Sequence, residues 1–330
     1  MSSAPSGPRR LPARPTRRGL LRGLGVLAGL GTAAAGTTFL GSARAEAQAV
    51  AGRPRAGSWQ DLGDIAWGDD PSRQSGRLLL PETRAWGDGT DSPRHPVVVL
   101  FHGGGWQDSS GSGYVLGAAQ DLARYGVAVW LPDYRGTPSP GGWPGTFQDA
   151  VGGLDFTAHL GDHAPFSPDP ERIHLVGHSA GGLLAAWLAG LGEGSGSTGG
   201  SGPPSVRPAS ATSLAGVLDP VRAVEQDRDE YVVDLLGGTV SQVPERYRRA
   251  SPLEQLPVDA PINVVHGRSD ATVPVGTVEP YIERLRATGN RGRIELLAGA
   301  GHNDLIEVRH RAWAVAREVC LEAVGAPGGR

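Results

Sequence analysis

"RIHLVGHSAGGLLAAWLAG", residues 172–190, decides how this chain folds. Ile173, His174, Leu175 and Val176 form a short run with strand character, and Ser179 stands between Gly177 and Gly181. An Ala/Leu-rich run with helical character follows. The local grammar is strand, sharp turn, helix, with a serine on the turn. Only small neighbours let strand and helix approach that closely, so G-x-S-x-G reads as a nucleophile elbow rather than a chance pattern in a glycine-rich chain. The helix start at Ala180 would also offer free N–H groups and the positive end of its dipole to whatever Ser179 attacks.

Outward from this stretch, apolar runs alternate with helical ones. Strands are expected in HPVVVLF (95–101), VAVWLPDYR (127–135), RIHLVGHS (172–179), SLAGVLD (213–219), PINVVHGRSD (261–270) and GRIELLAGAGH (292–302). Helices are expected in AAQDLARYG (118–126), GTFQDAVGGLDFTAHL (145–160), the run after Ser179, GTVEPYIERLRATG (276–289) and NDLIEVRHRAWAVAREVCLEAV (303–324). Buried strands separated by helices imply a doubly wound, mostly parallel sheet covered on both faces. The 192–210 segment, GEGSGSTGGSGPPSVRPAS, lacks periodicity and reads as a flexible loop, while 219–257 reads as a small helical cap. One domain over 50–330 accommodates all of this.

The first 49 residues differ. Arg17-Arg18 precede a modest apolar stretch from Leu20 to Leu40, and A-x-A patterns follow at Ala43/Ala45 and Ala47/Ala49. A twin-arginine export signal with a disordered flank is the expectation, leading to a secreted or extracytoplasmic product. Gly and Thr dilute the apolar stretch, which argues against a stable membrane span. The single cysteine, Cys320, excludes an intramolecular disulfide and sits on the apolar face of a C-terminal helix, where a buried, inert thiol is expected. A formal charge of -3, from 31 basic and 34 acidic residues, gives no basic stripe for nucleic acid. There is no H-E-x-x-H and no cysteine pair, so no metal site is expected, and Gly103–Gly105 fails the dinucleotide fingerprint.

A serine hydroxyl needs a base to take its proton and an acid to orient that base. Later strand ends supply both in the order Ser, Asp, His: Asp270 in VVHGRSDATVP and His302 in LLAGAGHNDLI. Asp219 is the rival acid. Among the nine histidines, His174 lies within a strand, His266 precedes the Asp270 turn, and His178 adjoins Ser179 too closely to serve it as base. His102-Gly103-Gly104-Gly105-Trp106 ends an early strand, and bare glycine N–H groups suit a developing oxyanion. The expected donors are Gly104, Gly105 and Ala180, with His102 bracing the loop. Trp106 and His178 are candidate substrate contacts, and Trp143 and Phe147 further candidates for an apolar wall.

Taken together, H-G-G-G-W (102–106), D-Y-R (133–135), G-H-S-A-G-G (177–182) and the late G-H (301–302) resemble the α/β-hydrolase superfamily, in its esterase/lipase branch close to feruloyl esterases and arylformamidases. The resemblance spans about residues 94–320. It implies a serine hydrolase without cofactor, with Ser179, Asp270 and His302 as triad, acting on a small-molecule carboxylic ester through an acyl-enzyme. Asp133 and Arg135 take structural roles in it. Hormone-sensitive-lipase-like members carry Asp where this chain has His178, which shifts the likeness toward the feruloyl-esterase and formamidase side and keeps an amidase or small peptidase as the alternative. A non-catalytic binding protein on the same fold is the third reading. The 91-residue gap between Ser179 and Asp270 departs from the family's usual spacing.

Overall fold

The computed structural model describes residues 57–82, 94–138, 140–192 and 203–326. The expected export signal at 1–49 and residues 193–202 of the expected flexible loop lie outside them. Eight strands form one sheet: β1 (Trp59–Ala66), β2 (Ser75–Pro81), β3 (Arg94–Phe101), β4 (Ala128–Pro132), β5 (Ser167–His178), β6 (Ser210–Leu214), β7 (Ile262–Gly267) and β8 (Ile294–Leu297). Their order is β1-β2-β4-β3-β5-β6-β7-β8; β1 and β2 run antiparallel to their neighbours and the rest are parallel. The flanking helices are α1 (Leu116–Arg124), α2 (Gly145–Asp155), α3 (Ala180–Ala189), α4 (Pro220–Asp227), α5 (Glu230–Leu236), α6 (Pro244–Ala250), α7 (Pro252–Gln255), α8 (Val275–Ala287) and α9 (Arg311–Ala323).

Period-two alternation sorts the central strands between two cores. From β3, Val97, Val99 and Phe101 join the cluster under α2, α3 and the 220–250 helices, while Val98 and Leu100 join the one under α1 and α9. Trp130 and Val129 of β4 divide in the same way. On the α9 side, Asp121 of α1 accepts from Trp313 Nε1 at 2.6 Å and from Arg317 at 2.7 Å, so a buried carboxylate ties the C-terminal helix to the sheet's flank. Cys320 is buried there and its thiol is pushed up to about 12 by burial, an inert group as expected.

The chain moves from β3 outward to β4, then returns past β3 to β5. That reversal leaves a crevice at the carboxyl ends of β3 and β5, the place where open α/β sheets hold ligands. Phe101 pairs with Gly177 at its floor, so the glycine loop after β3 and Ser179 after β5 emerge side by side.

Several expected elements differ in detail. β1 and β2 carry no clean alternation, because β1 is a half-exposed edge with charged residues, and the pattern before residue 94 hides them. β6 begins at Ser210 rather than Ser213, inside the segment read as loop, and residues 215–219 form its exit. Its polar residues are buried because they have partners: His174 Nδ1 lies 2.7 Å from Ser210 Oγ and Nε2 2.9 Å from Thr212 Oγ1, and Asn263 donates to Thr212. The expected helix over 303–324 is a single 3-10 turn (Asn303–Leu305) followed by α9, whose start is capped by His310. The helix from 145 ends at Asp155 and continues as a 3-10 segment to Asp162.

Burial lowers the pKa of five histidines: His102 to about 4, His174 and His178 to about 3, and His95 and His266 below the usual histidine value. In an unfolded chain each would titrate near 6.5. The unfolded state therefore binds more protons between those values, so this stability is complete above about pH 6.5 and declines as pH falls toward 4. Urea unfolding of the protein should lose about 1.4 kcal/mol per pH unit per buried histidine in that window. His174→Gln should flatten the slope by about 1.4 kcal/mol per pH unit, and an unchanged slope would show that His174 is not held neutral.

Candidate active site

Ser179 occupies the turn between β5 and α3 at φ 55°, ψ −119°, a left-handed conformation that a serine adopts only when its surroundings impose it. They do so by contact. A Cβ on Gly177 would lie 1.9 Å from the Gly181 carbonyl oxygen, and one on Gly181 would lie 2.3 Å from the Phe101 oxygen and 2.5 Å from the His102 oxygen. The two glycines of the motif are thus the points where α3 meets β5 and β3. Ser179 N–H donates to the Leu214 carbonyl at 2.9 Å, fixing the turn against β6.

Asp270 follows β7 and His302 follows β8. His302 Nδ1 lies 2.8 Å from Asp270 Oδ2, and the other carboxylate oxygen accepts the N–H groups of Thr272 at 2.8 Å and Val273 at 2.9 Å. Burial alone would raise the Asp270 carboxyl, but the hydrogen bond and charge of His302 with those two N–H groups outweigh it and hold the group below the usual carboxylate range. A carboxylate only accepts, so His302 Nδ1 carries the proton and Nε2 presents a lone pair. Ser179 and His302 line the same cavity, with no hydrogen bond joining their side chains in this conformation; such bonds commonly tighten only with substrate in place. The rival acid, Asp219, instead caps α4 by accepting from Arg222 N–H at 3.0 Å. His266 is buried with Nε2 on the Val273 carbonyl at 2.9 Å.

Gly104 and Gly105 sit at φ +105° and +63°, and Trp106 follows at φ 54°. The Gly104 carbonyl accepts from Gln107 N–H at 3.1 Å and the Trp106 carbonyl from Thr137 N–H at 2.8 Å, which pins the loop by its oxygens. Among the described residues, the N–H groups of Gly104, Gly105 and Ala180 donate to no protein acceptor. His102 braces this loop from below: Nδ1 donates to the Gly103 carbonyl at 2.7 Å, its ring stacks on Tyr134 at 4.1 Å, and Tyr134 donates to its carbonyl at 2.8 Å. Asp133 accepts from Ser112, and Arg135 forms a two-point pair with Asp149, so both have structural roles.

These groups open into a cavity of about 790 Å³, a size suited to a small molecule. Trp106 lines it. His178 does not: it is 0% exposed and buried beneath His302, so the substrate contact expected of it is not made. Trp143 and Phe147 pack on each other at 5.0 Å, and Phe147 on Trp187 at 4.8 Å, as part of the core. The far wall comes from α4, α5 and the turn between them, with Asp227, Arg228, Asp229, Glu230, Tyr231 and Asp234 among its lining residues. Tyr114 and Tyr231, at 39% and 55% exposure, also line the cavity. Neither was legible beforehand, because both sit where only the tertiary fold brings a loop and a cap helix to the strand ends.

Gly181→Ala should displace the Phe101 and His102 carbonyls, costing about 1–3 kcal/mol of stability together with most activity. Thermal melts beside turnover would check this, and an active, equally stable variant would contradict the contact.

The BD-FAE family model matches residues 88–285. Esterase LipC of Mycobacterium tuberculosis is 31% identical over 264 residues, covering 74% of this chain and 60% of that protein. Isoprenylcysteine alpha-carbonyl methylesterase ICME of Arabidopsis thaliana is 29% identical over 252 residues, covering 73% of this chain and 56% of its own length. The chain therefore spans less than two thirds of these relatives. Among solved structures, a thermophilic esterase of Thermogutta terrifontis superposes with TM-score 0.63 at 22% identity, covering 82% of this chain and 92% of that one. Esterase B of Lactobacillus rhamnosis does so with TM-score 0.67 at 19% identity, covering 87% and 92%. Both share the α/β-hydrolase fold described above.

Proposed function

The chain belongs to the BD-FAE family, and on that premise we propose that it is a serine hydrolase of carboxylic esters acting through an acyl-enzyme. The observation that carries the reading is the hydrogen-bonded Asp270–His302 pair opening on the same cavity as the strained Ser179, beside three N–H groups without acceptors. In this reading His302 Nε2 takes the Ser179 proton as Oγ attacks the ester carbonyl. Gly104, Gly105 and Ala180 N–H groups receive the oxyanion, and the leaving alcohol takes the proton back from His302. Water, deprotonated in turn by His302, then releases the acid. Asp270 stays ionised throughout and holds the imidazole in the Nδ1–H form. A small-molecule ester of short-chain or aryl type fits the cavity's size, and its carboxylate-rich wall disfavours an anionic substrate.

The twin arginines and apolar stretch within residues 1–49 support export as part of the same proposal. Among the described residues no helix is long and apolar enough to cross a membrane.

The test is turnover of p-nitrophenyl esters from acetate to palmitate, methyl ferulate and an aryl formamide. Ser179→Ala should reduce ester turnover at least about 10³-fold without unfolding, and Asp270→Asn about 10⁴-fold through the wrong tautomer. Ester turnover that survives Ser179→Ala would refute the assignment, and a formamide preferred over every ester would move it to an amidase. Wild-type activity should fall on acidification, since a protonated His302 cannot act as base. A succinyl half-ester should be a poorer substrate than the neutral butyryl ester.

A further inference from the structure

We propose that His178, the residue before the nucleophile, is a positioning residue that ties the catalytic base to the nucleophile's turn; this rests on the esterase reading above. His178 Nε2 lies 3.0 Å from the main-chain carbonyl of His302, 124 positions away in sequence. A carbonyl only accepts, so Nε2 carries the hydrogen and His178 is the donor. The consequence is a bare lone pair on Nδ1, and that atom is buried without a partner. The enclosure is specific. The His302 ring lies 4.7 Å away, the Tyr114 ring 5.6 Å away, and a Cβ on Gly103 would come within 3.1 Å of Nδ1.

Leaving a buried acceptor unsatisfied costs about 1–3 kcal/mol, so an ordinary core residue would fill the space more stably. The ring keeps one useful bond in exchange for that cost. Its backbone continues directly into Ser179, whose φ and ψ are imposed by the elbow, while its side chain holds the residue that must meet Ser179 Oγ. One side chain therefore fixes the ends of β5 and of the loop after β8 relative to each other. Asp270 sets the tilt of the His302 ring through Nδ1, and His178 sets the position of its backbone. Two anchors at right distances remove the freedom that a loop histidine would otherwise have.

Tyr114 extends the clamp. Its hydroxyl donates to Asn303 Oδ1 at 3.0 Å while its ring covers His178, shielding it from the cavity. Burial, reinforced by the neighbouring His302, keeps the His178 ring neutral, so it adds no second positive charge when His302 becomes an imidazolium.

His178→Phe keeps the ring volume and removes the bond. It should lower kcat and the rate of fluorophosphonate labelling of Ser179 together, by ten- to a hundredfold, with KM nearly unchanged, as expected of misplacement by a fraction of an ångström to one ångström. His178→Gln, whose amide can reach the same carbonyl, should recover most of both rates. A folded His178→Phe enzyme with both rates within twofold of wild type overturns the proposal, as does a Gln variant no better than Phe. If the Phe variant fails to fold, nitrogen-15 NMR of the wild type decides: the proposal requires a neutral Nε2–H tautomer at pH 6, and an Nδ1–H or doubly protonated ring overturns it. Wild-type protein inactive on every ester would instead sink the esterase reading, leaving the NMR result to judge the link between the two strand ends.

Discussion

The architecture depends on a backbone contact that admits no side chain. Where α3 crosses the ends of β3 and β5, the Gly181 Cα packs against the carbonyls of Phe101 and His102, and the Gly177 Cα against the Gly181 carbonyl. A methyl group at either place would separate helix from sheet. The same contact forces Ser179 into its left-handed turn and puts the glycine loop next to it, so the serine and the free N–H groups have one origin. The reactive arrangement is a consequence of how strand and helix fit, and the strain at Ser179 is sustained by the packing of everything beneath it.

Electrostatics around this contact follow a division of labour set by burial. Asp270 stays ionised because three N–H donors converge on it, which outweighs its desolvation. His102, His174 and His178 stay neutral because no carboxylate close enough compensates their burial. His102 shows the threshold: its Nε2 is 3.7 Å from Asp133, beyond hydrogen-bond reach, and burial prevails. The neutral His102 and His178 rings serve as directional donors to carbonyls, while His174 bridges the Ser210 and Thr212 hydroxyls, tasks that a charged ring could perform only at a much larger cost in desolvation.

The candidate site was legible in the sequence because its parts are local. The elbow, the glycine loop, Asp270 and His302 each sit at a strand end, and strand ends are marked by apolar runs stopping at small or polar residues. What resisted reading was tertiary. The start of β6 was hidden because Ser210 and Thr212 are polar and Ser210 closes the segment read as loop, yet their partners His174 and Asn263 come from neighbouring strands. β1 resisted because an edge strand need not alternate. His178, expected among the substrate contacts, is buried instead, because adjacency to Ser179 says nothing of direction: its side chain reaches the His302 carbonyl.

The same reasoning explains why substrate identity sits in the least legible part of the chain. The cavity's outer wall belongs to α4 and α5, whose exposed faces are free to vary while their inner faces are not. Val232, Leu235 and Leu236 of α5 and Tyr247 of α6 are buried in the same cluster as α3. Trp143 N–H donates to the Leu235 carbonyl at 2.7 Å, and Trp187 Nε1 to the Arg249 carbonyl at 2.9 Å. Lifting these helices would expose four large apolar side chains, at about 1.5–3 kcal/mol each, besides breaking those bonds. Such a sum is comparable to the whole stability of a domain. The cap is therefore a fixed wall of the cavity, which Tyr114 and Tyr231 line together with Ser179. Selectivity in the proposed reaction would then rest on the shape and charge of a preformed cavity, in which Tyr231 packs close to Gly105 and Glu230 and Asp234 belong to the lining.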